Sequence, residues 1–163
     1  MHNRALIITI LAVIAAVAIF LSPHSKNTFQ ASGQTTLRQA TLSVGDKTFK
    51  VELAESDEQK ADGLSNRPNL APETGMLFIF NPPMKPSFWM KDMRFPLDFV
   101  WIKNSQVVEI TRGVPPPKSG TKVDDLPNYT PNQEVDYVLE INIGESTTIN
   151  VGDKVIISNL QTT

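Results

Sequence analysis

Two alternating runs, LRQATLSV and KTFKVELA, flank Gly45-Asp46. Alternation interrupted by a Gly-Asp pair predicts a β-hairpin. In the second run Phe49, Val51 and Leu53 share one face, and Lys50 and Glu52 the other. Ser56-Asp57-Glu58-Gln59 has the spacing of a capping box, so a short helix follows and ends at Gly63. Gly75–Phe80 is a continuous apolar run of strand length, the pattern of a strand buried on both faces. Asn81–Pro86 reads as a proline-broken loop, and Ser87–Lys91 and Leu97–Ile102 as strands. A turn at Lys103-Asn104-Ser105 leads into a strand over Gln106–Thr111.

Glu134–Ile143 alternates most regularly. Val135, Tyr137, Leu139, Ile141 and Ile143 form one predicted face, and Asp136, Val138, Glu140 and Asn142 the other. Lys154–Leu160 supplies the closing strand. VPPPKSGTKVDDLPNYTPNQ has no period, and loops of this length are usually functional or disordered. VGDK occurs at 44–47 and 151–154 in unlike surroundings, which reads as two similar turns. Many short strands with one minor helix predict an all-β fold, a compact sandwich or small barrel.

A different pattern opens the chain. MHNR precedes seventeen residues, Ala5–Leu21, whose only polar member is Thr9. That length suits a short transmembrane helix better than the roughly 7–15 apolar residues of a cleaved signal peptide. The sequence Ala16-Val17-Ala18 keeps the cleaved signal as the alternative. Arg4 favours residues 1–4 in the cytoplasm, so the fold is expected on the extracytoplasmic side. Residues 22–36 are small and polar, a flexible spacer before a domain at 37–163.

The formal charge is −2, but residues 1–40 hold Arg4, Lys26 and Arg38 and no acid, leaving −5 for the remainder. A mildly acidic domain lacks the clustered cations that phosphate backbones require, so no nucleic-acid partner is expected. The absence of cysteine excludes thiol catalysis, thiolate metal sites and disulfides. His2 and His24 both precede the domain, which removes Ser-His-Asp catalysis and His-ligated zinc from it. Ser87 and Lys91 have serine–lysine dyad spacing only on a helix; along a strand they stand about 13 Å apart. No nucleotide-binding motif is present.

Three constellations carry chemistry. Arg67, Lys91, Asp98 and Glu140 are charges set in or near apolar strands, where an unpaired ion costs several kcal/mol. Either Arg67 or Lys91 bridges Asp98 or Glu140 as an internal staple, or the four border a pocket walled by Trp89 and Trp101. Asp98 and Glu140 are also a candidate acid–nucleophile pair for glycoside hydrolysis. Met84, Met90 and Met93, with Met76 nearby, offer soft thioethers suited to Cu(I). Methionine is equally an ordinary filler of cores.

Gly63-Leu64, Arg67-Pro68, Leu70, GMLFIF, SFWMKD, PLDFVWI, YVLEINIG and VGDKV follow one another in this order. Over about residues 45–157 the chain resembles the prokaryotic domain-of-unknown-function family 192. The resemblance implies a compact β-rich domain, often exported, and brings no reaction with it. It picks out the polar positions Arg67, Lys91, Asp98 and Glu140. Asp92 and Met93 stand where asparagine and threonine are usual in relatives. The expectation is a membrane-anchored extracytoplasmic binding or scaffold domain without catalysis or cofactor. Its ligand site comprises Arg67, Trp89, Lys91, Asp98 and Glu140, suited to an anionic or sugar-like ligand. The 113–133 loop is expected as a lid or a protein-contact surface.

Overall fold

A computed structural model describes residues 37–158. The predicted anchor at 5–21, the spacer and the last residues of the predicted strand Lys154–Leu160 lie outside the described residues. Among the described residues no helix is long and apolar enough to cross a membrane.

Among the described residues seven strands form one sheet: β1 (Gln39–Val44), β2 (Lys47–Ala54), β3 (Thr74–Met84), β4 (Leu97–Lys103), β5 (Gln106–Val114), β6 (Val135–Asn142) and β7 (Val155–Ser158). Their order across the sheet is β5-β4-β6-β3-β2-β1-β7. The hairpin at Gly45-Asp46 forms as predicted, with Val44 opposite Lys47. A second hairpin joins β4 and β5, where Asn104 and Ser105 both take positive φ, the conformation whose twist matches the flanking strands. β2 and β3 run parallel. Such a pair needs a crossover, and here it contains α1 (Asp57–Asp62). Ser56 Oγ accepts from Gln59 N, Gln59 Oε1 accepts from Ser56 N, and Gly63 ends the helix, as the capping box requires.

The sheet is rolled into a half barrel, which decides between the two predicted architectures. At one end its outer strands meet: Gln106 bridges Lys154, and Val107 N donates to Asp153 O at 2.9 Å. Strand twist curls the sheet, and this contact partly closes it. Inside the curl lies one core, with Leu42, Phe49, Val51, Leu53, Leu77, Val100, Ile102, Leu139 and Ile141. A second core lies on the outer face, where Met76, Phe78, Phe99, Trp101 and Val138 are covered by Phe88, Met90 and Met93.

That covering segment corrects one expectation. Ser87–Lys91 is not a strand; Phe88 alone makes a β-bridge, to Tyr129. Its aromatic and methionine residues are buried because it lies across the outer face, with Phe88 packed against Phe78, Phe99 and Trp101 at centroid distances of 4.8, 5.7 and 5.7 Å. Two neighbouring readings also change. β3 continues to Met84, which pairs with Val135 across a bulge, so Asn81–Pro86 is not wholly a loop. Val135 therefore joins the outer core, while Leu139 and Ile141 on the same strand face the inner one.

Candidate functional site

Strand register separates the charges that sequence placed together. Asp98 lies opposite Ile141, and Glu140 opposite Phe99. Directly opposed residues share a face and successive residues alternate. Asp98 thus belongs to the inner face and Glu140 to the outer one.

Asp98 is 1% exposed and fully employed. Its Oδ1 accepts from Gly113 N at 2.8 Å, and its Oδ2 from Gly144 N at 2.9 Å and Ser146 Oγ at 2.8 Å. It ties the end of β5 to the turn after β6, and has no free oxygen for a ligand. Arg67 does not reach it. The Arg67 guanidinium instead forms a two-pronged ion pair with Glu52, Nη1 lying 2.9 Å from Oε1. That partnership raises the Arg67 pKa. Lys91 is half-exposed, 3.9 Å from Asp92 and 6.0 Å from the Trp89 ring centroid. The predicted staple of Arg67 or Lys91 on Asp98 or Glu140 does not form, because each cation has a nearer carboxylate of its own.

Glu140 is left alone. It is 5% exposed, and no donor among the described residues hydrogen-bonds its carboxyl group. Desolvation, the only cause at work, raises its pKa from the ordinary 4.5 to about 8. The carboxyl group opens on a pocket of about 120 Å³ on the outer face. Phe78, Phe80, Phe88 and Trp89 line this pocket, together with Lys60 and Ser65. β3 and β6 supply the floor, the covering segment one wall, and α1 with the turn after it the other. Ser65 Oγ donates to Lys91 O and Asn66 N to Asp92 O, which fastens the two walls together. Lys60 Nζ lies 5.2 Å from the Phe80 ring centroid, so one aromatic wall already carries an ammonium group.

Of the five expected ligand residues, the pocket gathers Glu140 and Trp89, which is 48% exposed. Arg67, Lys91 and Asp98 lie outside its wall. Trp101 is also excluded: it is buried in the outer core with Nε1 2.9 Å from Thr111 Oγ1. The 113–133 segment adds nothing to the wall; Tyr129 and Asn128 instead clamp the covering segment at Phe88 and Ser87. Met90 and Met93 pack in the outer core, whereas Met84 is 47% exposed at the end of β3. Phe78, Phe80 and Lys60 were missed. Parity offered a signal for the rings, since Met76, Phe78 and Phe80 share a strand face and Met76 pairs with Glu140.

A second cavity, of about 350 Å³, opens at the barrel mouth among Leu53, Leu77, Ile102, Tyr137 and Ile157. Its edge is occupied by the Arg38–Glu55 ion pair, 3.0 Å long, and no buried carboxyl lines it.

The DUF192 family model, described as an uncharacterized ACR, matches residues 40–157. The chain belongs to the DUF192 family. A crystal structure from Sinorhizobium meliloti 1021, described as that of a candidate transcription regulator, is similar at 26% identity and a TM-score of 0.69. The match covers 77% of this chain and 98% of that one. A protein of unknown function from Novosphingobium aromaticivorans DSM 12444 is similar at 30% identity and a TM-score of 0.67, covering 76% of this chain and 88% of that one. No curated protein matches the chain. This DUF192 domain therefore has its fold in common with solved relatives, while its chemistry has to be read from its own pocket.

Proposed function

We propose that this DUF192 chain is an exported, membrane-anchored binding domain without catalytic chemistry, and that its site is the pocket over Glu140 and Trp89. One observation carries the reading: a buried, partnerless carboxyl group opening on a cavity walled by aromatic rings. Few buried polar groups lack a partner, and a titratable one in a cleft with a shifted pKa is a functional-site candidate. Aromatic side chains around a few convergent polar groups are also an ordinary lining for a ligand site. The apolar run Ala5–Leu21 supports the anchor and the extracytoplasmic setting.

Other readings fit less well. The candidate glycosidase pair is divided between opposite faces of the sheet, with Asp98 saturated by donors. A Cu(I) site would need Met84 to approach Met90 and Met93 from the exposed end of β3. The charge of −5 outside the first forty residues gives a nucleic-acid-binding role little electrostatic support. Native mass spectrometry of the full chain, purified from an exporting host, tests the proposal. The wild type should carry an organic adduct that Glu140→Leu and Trp89→Ala both lose. An adduct retained in both variants would overturn it.

A further inference from the structure

We propose that the pocket's ligand presents an alkylammonium group, which forms an ion pair with the Glu140 carboxylate while its carbon stem lies against Phe80, Phe88 and Trp89. This inference rests on the pocket reading and adds the ligand's chemistry. Two independent observations support it. The first is the unpartnered Glu140 carboxyl, 5% exposed and open to the cavity. An acceptor-only carboxylate is best completed by a charged donor, and in a desolvated pocket such a bond is among the stronger ones. The second is Lys60, whose own ammonium already stands 5.2 Å from the Phe80 centroid on the pocket wall. Aromatic faces attract cations and have no comparable affinity for anions. A pocket of about 120 Å³ has room for the end of one side chain or a short alkylamine.

The charges around Glu140 allow the pair. α1 contributes Lys60, shared with Asp57 at 4.0 Å, and Asp62. β2 contributes Glu52 on the same face, already bound to Arg67. β3 and β4 place the apolar Met76 and Phe99 beside Glu140. Lys91, Asp92 and Arg94 of the covering segment are exposed. Before binding near neutral pH, Glu140 is largely protonated. The incoming ammonium keeps its protons, Glu140 releases its proton to solvent, and an N⁺–H···O⁻ contact forms. Apparent affinity then scales with the ionised fraction of Glu140, rising about tenfold per pH unit below the folded pKa and levelling above it.

The test is calorimetric titration of the full chain in detergent with n-butylamine, n-butanol and butyrate between pH 6 and 9. Butylamine should bind with affinity that climbs about tenfold per unit to near pH 8, at least tenfold tighter at pH 9 than the other two probes. Glu140→Gln should weaken it and flatten its pH profile, and Lys60→Met should tighten it by removing a like charge. Nα-acetyl-lysinamide binding tighter than butylamine would assign the ammonium to a polypeptide, and weaker to a free amine; both sustain the proposal. Butanol or butyrate binding better than butylamine, or a pH-independent butylamine affinity, would overturn the ammonium inference and leave the pocket reading standing. Binding of none of the probes, together with a bare native mass, would remove both.

Discussion

Replacing Glu140 by glutamine should stabilise this domain in alkaline solution, the opposite of what loss of a staple would do. The folded pKa of Glu140 is raised to about 8 from the ordinary 4.5 by burial alone. Below pH 4.5 the carboxyl is protonated in both folded and unfolded chains and costs nothing extra. Between 4.5 and 8 the unfolded chain ionises while the folded one keeps its proton, so stability falls as pH rises. The slope is about 1.4 kcal/mol per pH unit. Above pH 8 both forms are ionised, and the accumulated penalty is on the order of 5 kcal/mol, with about 3 already present at pH 7. Glutamine has nearly the same shape and does not ionise. The difference in unfolding free energy, variant minus wild type, should therefore be near zero at pH 4.5, climb through neutrality and level above pH 8. Urea denaturation followed by tryptophan fluorescence at half-unit pH steps measures it, and subtracting wild type cancels the other carboxylates. A flat difference would show that burial does not raise the Glu140 pKa, and one that falls with pH that Glu140 has a cationic partner; either would refute the isolated-carboxyl argument.

Three further outcomes follow from the same geometry. Asp98→Asn should cost about 2–4 kcal/mol, because donors approach both carboxylate oxygens and an amide must turn its NH₂ toward one of them; a loss under about 0.5 kcal/mol in urea denaturation would reopen a ligand role. Gly75→Ala should destabilise by roughly 1–3 kcal/mol or more, since the added methyl would lie 2.6 Å from Glu140 O and 3.0 Å from Ile141 Cγ2; an unchanged Tm would contradict the close β3–β6 approach. Ser56→Ala should cost about 1 kcal/mol by removing the cap of α1, and hydrogen exchange should quicken at Gln59 and Lys60 while β6 stays protected.

Local signals were read correctly where one short segment contains the whole cause. Gly45-Asp46 made its hairpin, Ser56 and Gln59 made both halves of their box, and the alternation of 134–143 made β6. The errors occur where the cause is distant. SFWMK alternates like a strand, yet its neighbours across the outer face leave only the Phe88 bridge to Tyr129. The parallel pairing of β2 with β3 has no sequence mark, and it places Glu52, Met76, Glu140 and Phe99 in one cross-strand row. Asp98 takes its donors from residues 15, 46 and 48 positions away. The resemblance selected Arg67, Lys91, Asp98 and Glu140 alike, but in the fold Asp98 secures turns, Arg67 secures a surface ion pair and Glu140 faces a cavity.

The row from Glu52 to Phe99 also explains why Glu140 remains alone. Arg67, which follows α1 in the crossover, ends on Glu52, two strands from Glu140, with Met76 between them. Glu52 is 31% exposed at its side chain, so its ion pair keeps solvent access and avoids the desolvation cost that pairing at Glu140 would impose on the guanidinium. Lys60 lies along the pocket wall but is held by Phe80 and Asp57. The strand register thus keeps the Glu52–Arg67 pair two strands away from the buried carboxyl. On the proposed reading, the stability given up at Glu140 is exchanged for binding. Binding of an external cation would recover that cost.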